Sequence, residues 1–320
     1  MSRKIICITG ATGFIGNHLI NRISNKKYSI RVLTRNLNHE FPDNTEVFFG
    51  DLTFFDYRLK LFLDNCSILI NCAGEIHNPS IMSSLHVGGV LNLLKAISED
   101  LYRIGPPLHW VQLSSVGAYG PQVSKGLDRL VNEVTPQYPV GEYEITKKIA
   151  DDLVMKANNE GVITCSILRP TNVFGKGMRN QSLNGLIRVI EKGFFFYIGK
   201  PGAISSYVHV DDVVEGIISC AFNPMAKGKT FILSADCMLE DLVLRIASTL
   251  GKSAPSLRLP EPLVRRFVQH AKWLNLLPLT SSRIDALTCR TRYSSHRIFS
   301  DLDFSLSRPM PNSIVDLIDN

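Results

Sequence analysis

Tyr143 and Lys147 stand four residues apart in the stretch GEYEITKK, residues 141 to 148. On a helix, positions i and i+4 share a face, so the two side chains are expected side by side. A free phenol titrates near pH ~10 and is a poor acid or base in neutral water. An ammonium next to it favours the phenolate and lowers that value. Such a pair could exchange a proton with an alcohol or a carbonyl. The same spacing also describes an ordinary solvated helix face, so the rest of the chain has to decide.

A glycine-rich turn gives the first context. TGATGFIG, residues 9 to 16, carries Gly10, Gly13 and Gly16, and it links the apolar run KIICIT to the helical pattern FIGNHLINRIS. Glycines here permit a tight turn and close approach of the backbone to a pyrophosphate. The helix that follows offers N–H donors and a favourable dipole. Thr12, Phe14 and Ile15 complete the expected cofactor-binding turn. A turn serving packing alone is the competing reading, and its position at the first strand–helix junction argues against it. Rossmann domains that take NAD usually end the second strand on an acid that binds the ribose 2′-hydroxyl. This second strand ends RVLTRN, with Arg35 where a 2′-phosphate would sit. A guanidinium matches phosphate geometry, so NADP(H) is expected over NAD(H), unless Arg35 merely caps a surface loop.

The elements that must position these groups alternate. Strand-like YSIRVLT, EVFFGD, SILINCAG, LHWVQLSS and ITCSILRP are separated by helical DYRLKLFLDN, SSLHVGGVLNLLKAISED and YEITKKIADDLVMKANNEG. That alternation predicts βαβ units in an α/β fold, a doubly wound parallel sheet with both faces covered. Residues 1–170 form the predicted Rossmann domain, with 204–222 returning to it as one strand and one helix capped by Asp211 or Asp212. Residues 171–203 and 223–320, richer in Pro, Gly, Ser and Arg, form the predicted smaller C-terminal substrate-binding region.

Composition narrows the function classes. The 320 residues are 45% hydrophobic and 20% charged, ordinary for a soluble globular chain. No apolar run approaches the ~18 residues of a membrane span, and the N-terminus lacks a signal-peptide pattern. Cys7, Cys66, Cys72, Cys165, Cys220, Cys237 and Cys289 are scattered without a C-x-x-C pair, so buried thiols are expected rather than a zinc site. The net charge of +6 is dispersed, which suits an anionic small molecule and does not indicate nucleic acid.

The ordered set TGATGFIG, GDL, NCAG, LSSVGAYG, YEITK, LRPTNVFG and YVHVDDVV resembles the extended short-chain dehydrogenase/reductases, within them the NAD(P)-dependent epimerase/dehydratase family that works on nucleotide sugars. The resemblance runs from about residue 4 to about 220. It implies that Tyr143 is the catalytic acid/base and that Lys147 binds the nicotinamide ribose and lowers the tyrosine pKa. Ser115 is implied to polarise the substrate oxygen, and its place after a strand end fits the ligand edge of an open α/β sheet. Asp51 and Leu52 are implied on the adenine side, Asn71, Ala73 and Gly74 along the cofactor, Pro170 in the cofactor-binding set, and Asn172 on the substrate. Two positions depart from the pattern. His86 replaces the usual Asn of the long helix, either a harmless change or a replaced relay or kink residue. Ser205 stands where an Arg often holds the substrate pyrophosphate. Arg179, Arg283, Arg290 and Arg292 are candidate replacements, with Arg283 and Arg290 preferred because they flank the strand-like RIDALTCR.

The site so read performs hydride transfer at a carbinol carbon. A cytoplasmic enzyme reducing a 4-keto-6-deoxy sugar nucleotide for surface polysaccharide is the leading expectation, with a homodimer as one assembly. A sugar-nucleotide 4-epimerase follows. A simple alcohol or steroid-type dehydrogenase and a non-catalytic NADP-binding sensor rank lower. A dehydratase ranks low as well, because SSVGAYG lacks the acid pair that elimination needs.

Overall fold

In the computed structural model, which describes residues 3–23, 27–99, 106–122, 126–178, 181–271 and 279–318, the apolar runs become strands and the amphipathic stretches between them become helices. In chain order the first half contains β1 (Ile5–Thr9), α1 (Phe14–Ile23), β2 (Ser29–Thr34), β3 (Thr45–Phe49), α2 (Tyr57–Leu63), β4 (Cys66–Asn71), α3 (Pro79–Met82), a π-helical stretch (Ser83–Gly88), α4 (Gly89–Ser98), β5 (His109–Leu113), β6 (Arg129–Val131), α5 (Glu142–Asn159) and β7 (Thr164–Pro170). The second half contains β8 (Asn172–Phe174), α6 (Ser182–Glu191), β9 (Tyr197–Ile198), β10 (Ile204–Ser205), β11 (Tyr207–His209), α7 (Val210–Phe222), β12 (Lys229–Leu233), β13 (Cys237–Met238), α8 (Leu239–Thr249), β14 (Arg258–Leu259), α9 (Glu261–Ala271), α10 (Ser281–Leu287), β15 (Thr291–Tyr293) and α11 (His296–Leu302).

Seven parallel strands form the central sheet in the order β12-β7-β5-β4-β1-β2-β3. Side chains alternate between its faces, so neighbours in one strand serve different cores. Ile6 and Ile8 pack with Leu19 and Ile20 of α1 and Val213 and Ile217 of α7. Cys7 between them faces Leu59 and Phe62 of α2, Leu93 of α4 and Val154 of α5. The sheet is therefore doubly wound, as the sequence predicts. A separate core beneath the C-terminal region gathers Leu183 and Ile187 of α6 with Leu242, Val243 and Ile246 of α8. All seven cysteines are free thiols, five of them buried.

Several expectations are corrected. The central sheet takes in β12 from the stretch assigned to the substrate region, pairing Lys229–Leu233 with Ser166–Pro170. The returning helix α7 covers the sheet as expected, but its strand β11 pairs with β8 instead. The α7 cap is neither Asp211 nor Asp212: the His209 ring accepts the Asp211 N–H at 3.2 Å. Asp212 is buried and accepts from Ser307 and Arg308. RIDALTCR is helical through Leu287, so Arg283 stands on α10 rather than on a strand. The continuous stretch Pro79–Ser98 is long and apolar enough to cross a membrane by composition, yet Val90, Leu93, Ala96 and Ile97 are buried against the sheet.

Candidate active site

Thr9, Asn71, Gln112 and Ile167 lie in register near the carboxyl ends of β1, β4, β5 and β7. The chain runs from β1 outward to β2 and β3, then crosses back to β4 on the other side. Open α/β sheets bind ligands in the crevice at such a switch point.

The glycine turn fits a dinucleotide. Gly10 has φ +69°, and a Cβ there would stand 2.6 Å from the Cys72 carbonyl carbon. A Cβ on Gly16 would drive into the Gly10 carbonyl. Gly13 donates to the Gly10 carbonyl at 2.9 Å, closing the turn at Thr12 that leads into Phe14 and Ile15 at the start of α1. Helix α1 thus begins directly beyond β1, where a pyrophosphate gains N–H donors. Leu52 is buried, with its backbone carbonyl accepting from Asn92 at 2.8 Å. Arg35 follows the end of β2, its side chain 63% exposed and its guanidinium 3.6 Å from the Asp51 carboxylate. Burial opposes ionisation of Asp51, but the Thr53 N–H and hydroxyl and then Arg35 hold its carboxyl below the ordinary value.

Asn71 spends its side chain within the sheet. Its side chain is buried, accepting from the Thr9 hydroxyl at 2.5 Å and donating to Gln112 at 3.0 Å. It ties β1, β4 and β5 together under the crevice, and the chain continues through Ala73 and Gly74. Pro170 closes β7 opposite Leu233. Proline is tolerated there because the next ladder N–H toward β12 belongs to Thr171, which donates to the Leu233 carbonyl at 3.0 Å.

Tyr143 and Lys147 lie one turn apart on α5, as their spacing predicts. Ser115 caps the short helical turn Val116–Tyr119 by accepting the Gly117 N–H at 3.1 Å, and its hydroxyl also meets the Tyr143 phenol. These three residues come together. The expected lowering of the phenol by Lys147 is not found. Burial pushes Tyr143 up to about 12, with the Ser115 hydrogen bond opposing and Glu144 and Asp151 adding to the rise. The buried Lys147 ammonium donates instead to the Leu113 carbonyl at 2.5 Å. Burial also pulls the Lys147 pKa down, against the nearby Asp151 and Cys72.

Beneath this face lies a network that sequence reading missed. Arg169 Nε and Nη2 donate to Asp151 Oδ2 at 3.0 and 2.9 Å, and the Ser114 hydroxyl donates to the same oxygen at 2.7 Å. Burial raises the Asp151 carboxyl and these donors oppose it; three donors converging on one oxygen are the geometry of a carboxylate. The signal was present: Asp151 extends the Tyr143–Lys147 face by one more turn.

On the substrate side, exposed Asn172 donates to the Ser206 carbonyl at 3.3 Å. Asp236, unremarked in the sequence, accepts the Tyr293 N–H at 2.6 Å; burial raises its carboxyl, with Ser234, Tyr293, Ser206 and then Arg292 opposing the rise. Asn172, Ser206, Asp236 and Arg292 thus form one cluster. Ser205 lies beside it in β10, opposite Cys237. Arg290 is engaged elsewhere, donating to Asp128 and to the Pro201 carbonyl, both at 2.6 Å. Arg283 is exposed on α10, and Arg179 lies outside the described residues.

A phosphate-ready glycine turn and a phenol, hydroxyl and ammonium gathered at the strand ends are the parts of a nicotinamide-dependent oxidoreductase. Residues 6–233 match the NAD dependent epimerase/dehydratase family, and the chain belongs to it. A UDP-glucose 4-epimerase of Vibrio cholerae is 25% identical over 276 residues, covering 81% of this chain and 79% of that protein. A decarboxylating sterol-4-alpha-carboxylate 3-dehydrogenase of Saccharomyces cerevisiae is 28% identical over 256 residues, covering 72% of this chain and 70% of that protein. The solved UDP-glucose 4-epimerase of Thermotoga maritima with UDP-glucose has a TM-score of 0.72 at 15% identity, covering 98% of this chain and 97% of that one. The chain is accordingly an NAD(P)-dependent enzyme of the short-chain dehydrogenase/reductase and epimerase type.

Proposed function

We propose that this enzyme uses NADPH to reduce a 4-keto-6-deoxy sugar nucleotide, in the cytoplasm, in the supply of sugars for surface polysaccharide. Arg35 carries the reading: β2 ends on Thr34 without an acid, and the next residue presents an exposed guanidinium. That arrangement favours a 2′-phosphate. The glycine turn and Arg35 would hold the cofactor, which supplies a hydride when bound. Tyr143 donates the proton to the carbonyl oxygen, and Ser115 steadies the developing alkoxide. A phenol raised to about 12 is protonated at neutral pH, which suits the reducing direction. Asn172 and Arg292, clustered at that edge, meet the substrate's nucleotide diphosphate, with Arg283 or, once released from Asp128, Arg290 as a further cation.

A 4-epimerase is the second reading. The Arg35–Asp51 ion pair favours it, because Asp51 draws off some of the charge that a 2′-phosphate needs. Cofactor exchange separates the two. The reductase should purify with an exchangeable site that prefers NADPH and should consume NADPH with a UDP- or TDP-linked 4-keto-6-deoxyhexose. Tightly retained NAD+ together with interconversion of UDP-hexoses would overturn the reductase reading. Failure of UDP, TDP and GDP all to bind at millimolar concentration would remove nucleotide sugars altogether and favour a simple alcohol dehydrogenase.

A further inference from the structure

His86 sits in the π-helical stretch Ser83–Gly88, where the Gly89 N–H donates to Ser84, five residues back. Such a widened turn carries one extra residue and re-aims the side chains on it. The His86 ring is buried and both of its nitrogens are engaged. Nε2 accepts the backbone N–H of Glu75 at 2.9 Å, in the loop that continues from Ala73 and Gly74. Nδ1 meets the Thr146 hydroxyl at 2.8 Å. An N–H can point at Nε2 only if that nitrogen bears a lone pair, so in the neutral ring the proton is on Nδ1. Thr146 then accepts from Nδ1 and gives its own proton to the Glu142 carbonyl, 2.7 Å away. The ring edge also meets the Tyr143 ring at 5.7 Å between centroids and 82° between planes. One side chain therefore touches the cofactor-side loop, the second turn of α5 and Tyr143 itself.

We propose that His86 is a positioning residue: its neutral ring fixes the loop at Glu75 to α5 at Thr146 and so sets where Tyr143 stands against the cofactor side of the crevice. The inference rests on Tyr143 as the proton donor of the reading above. A relay role does not fit the geometry, because Nε2 accepts from an amide N–H far too weakly acidic to pass its proton on, and Nδ1 faces a hydroxyl committed to Glu142. A harmless replacement does not account for two short hydrogen bonds that bridge separate elements.

Three full-length variants test the proposal. His86→Phe keeps a ring edge on Tyr143 but loses both hydrogen bonds. Thr146→Val cuts only the link to α5. His86→Gln can reach both partners without the ring. The first measurement is the long-range proton–nitrogen NMR spectrum of the histidine-labelled enzyme at pH 7, with His86 assigned by its loss in His86→Gln. A neutral ring protonated on Nδ1 is expected; an Nε2–H or doubly protonated ring overturns the clamp. The second is NADPH titration, in which His86→Phe should bind at least about fivefold more weakly while Thr146→Val stays within about twofold. The third is turnover per NADPH-binding site with a UDP-linked 4-keto-6-deoxyhexose. Both His86→Phe and Thr146→Val should lose about tenfold or more in kcat with KM within about twofold, their double variant should be no worse than His86→Phe, and His86→Gln should recover most of the rate. Rates per site near those of the unaltered enzyme, or additive losses confined to the folded fraction, would mean that His86 only supports the fold. If the unaltered enzyme turns over no such substrate, the substrate reading fails, and the NMR and NADPH measurements still decide the clamp.

Discussion

Arg169 at the end of β7 and Asp151 on α5 form an ion pair with side chains only 4% and 2% exposed, directly under the face that carries Tyr143 and Lys147. Removing one member of a buried pair leaves the other charge uncompensated, at a typical cost of about 3–5 kcal/mol. Asp151→Asn, which keeps the shape, should therefore lower unfolding free energy by about 3 kcal/mol in urea melts. A loss below about 1 kcal/mol would show that the pair contributes little beyond packing.

Tyr143→Phe should abolish turnover and leave cofactor affinity nearly unchanged, since only the phenolic proton is lost. The raised phenol also fixes a pH dependence. A proton donor fails as pH rises through its pKa, and this one lies at about 12. Reduction in the enzyme should therefore lose no rate between pH 7 and 9 through Tyr143. A falling limb centred in that range that coincides with ionisation of the Tyr143 phenol, followed by its ultraviolet absorbance, would contradict the assignment.

Arg35→Ala should weaken NADP(H) binding by about 1.5–3 kcal/mol, the usual worth of a charged hydrogen bond, while NAD(H) binding changes little. Arg35→Asp should go further and reverse the preference, because repulsion is added to lost attraction. Calorimetry on both variants checks this; an unaltered enzyme that binds NAD+ more tightly than NADP+ removes the premise.

His86 makes the fold sensitive to acid. Burial, and after it the Lys147 charge, push the ring down to about 4 from an ordinary 6.5. As pH falls below 6.5 the unfolded chain takes up this proton before the folded one does. The stability is thus fully present above pH 6.5 and lost as pH falls toward 4. Between pH 7 and 4.5 the enzyme should lose about 2–3 kcal/mol more than His86→Gln, measured as the difference between their urea midpoints. Parallel losses in the two proteins would mean that His86 protonates freely in the native state.

What was legible in the sequence was whatever rests on local spacing. The glycine turn, the shared face of Tyr143 and Lys147, and the alternation of strands with helices follow from backbone rules that act within a few residues. Contacts made across the fold were not. Histidine is an unusual helix cap because it brings a ring nitrogen rather than an oxygen, so His209 was passed over for its aspartate neighbours. Lys147 finds the Leu113 carbonyl only once β5 and α5 are packed together. Arg169 read as a strand residue, and although Asp151 stood on the Tyr143–Lys147 face, nothing local in the sequence paired the two. The strand β12 lies in a stretch of irregular composition, where only the free edge of β7 gives Lys229–Leu233 a place to pair.

The long helical stretch from Pro79 to Ser98 has a consequence during synthesis. Its buried face is completed partly by Leu108, Trp110, Val154 and Cys165, all of which leave the ribosome after it. Until those residues emerge, the nascent chain displays a segment whose length and apolarity match those of a membrane anchor. Early cover for the stretch therefore has to come from the partners already made, Leu59, Phe62 and Leu69 of α2 and β4, which share the same core.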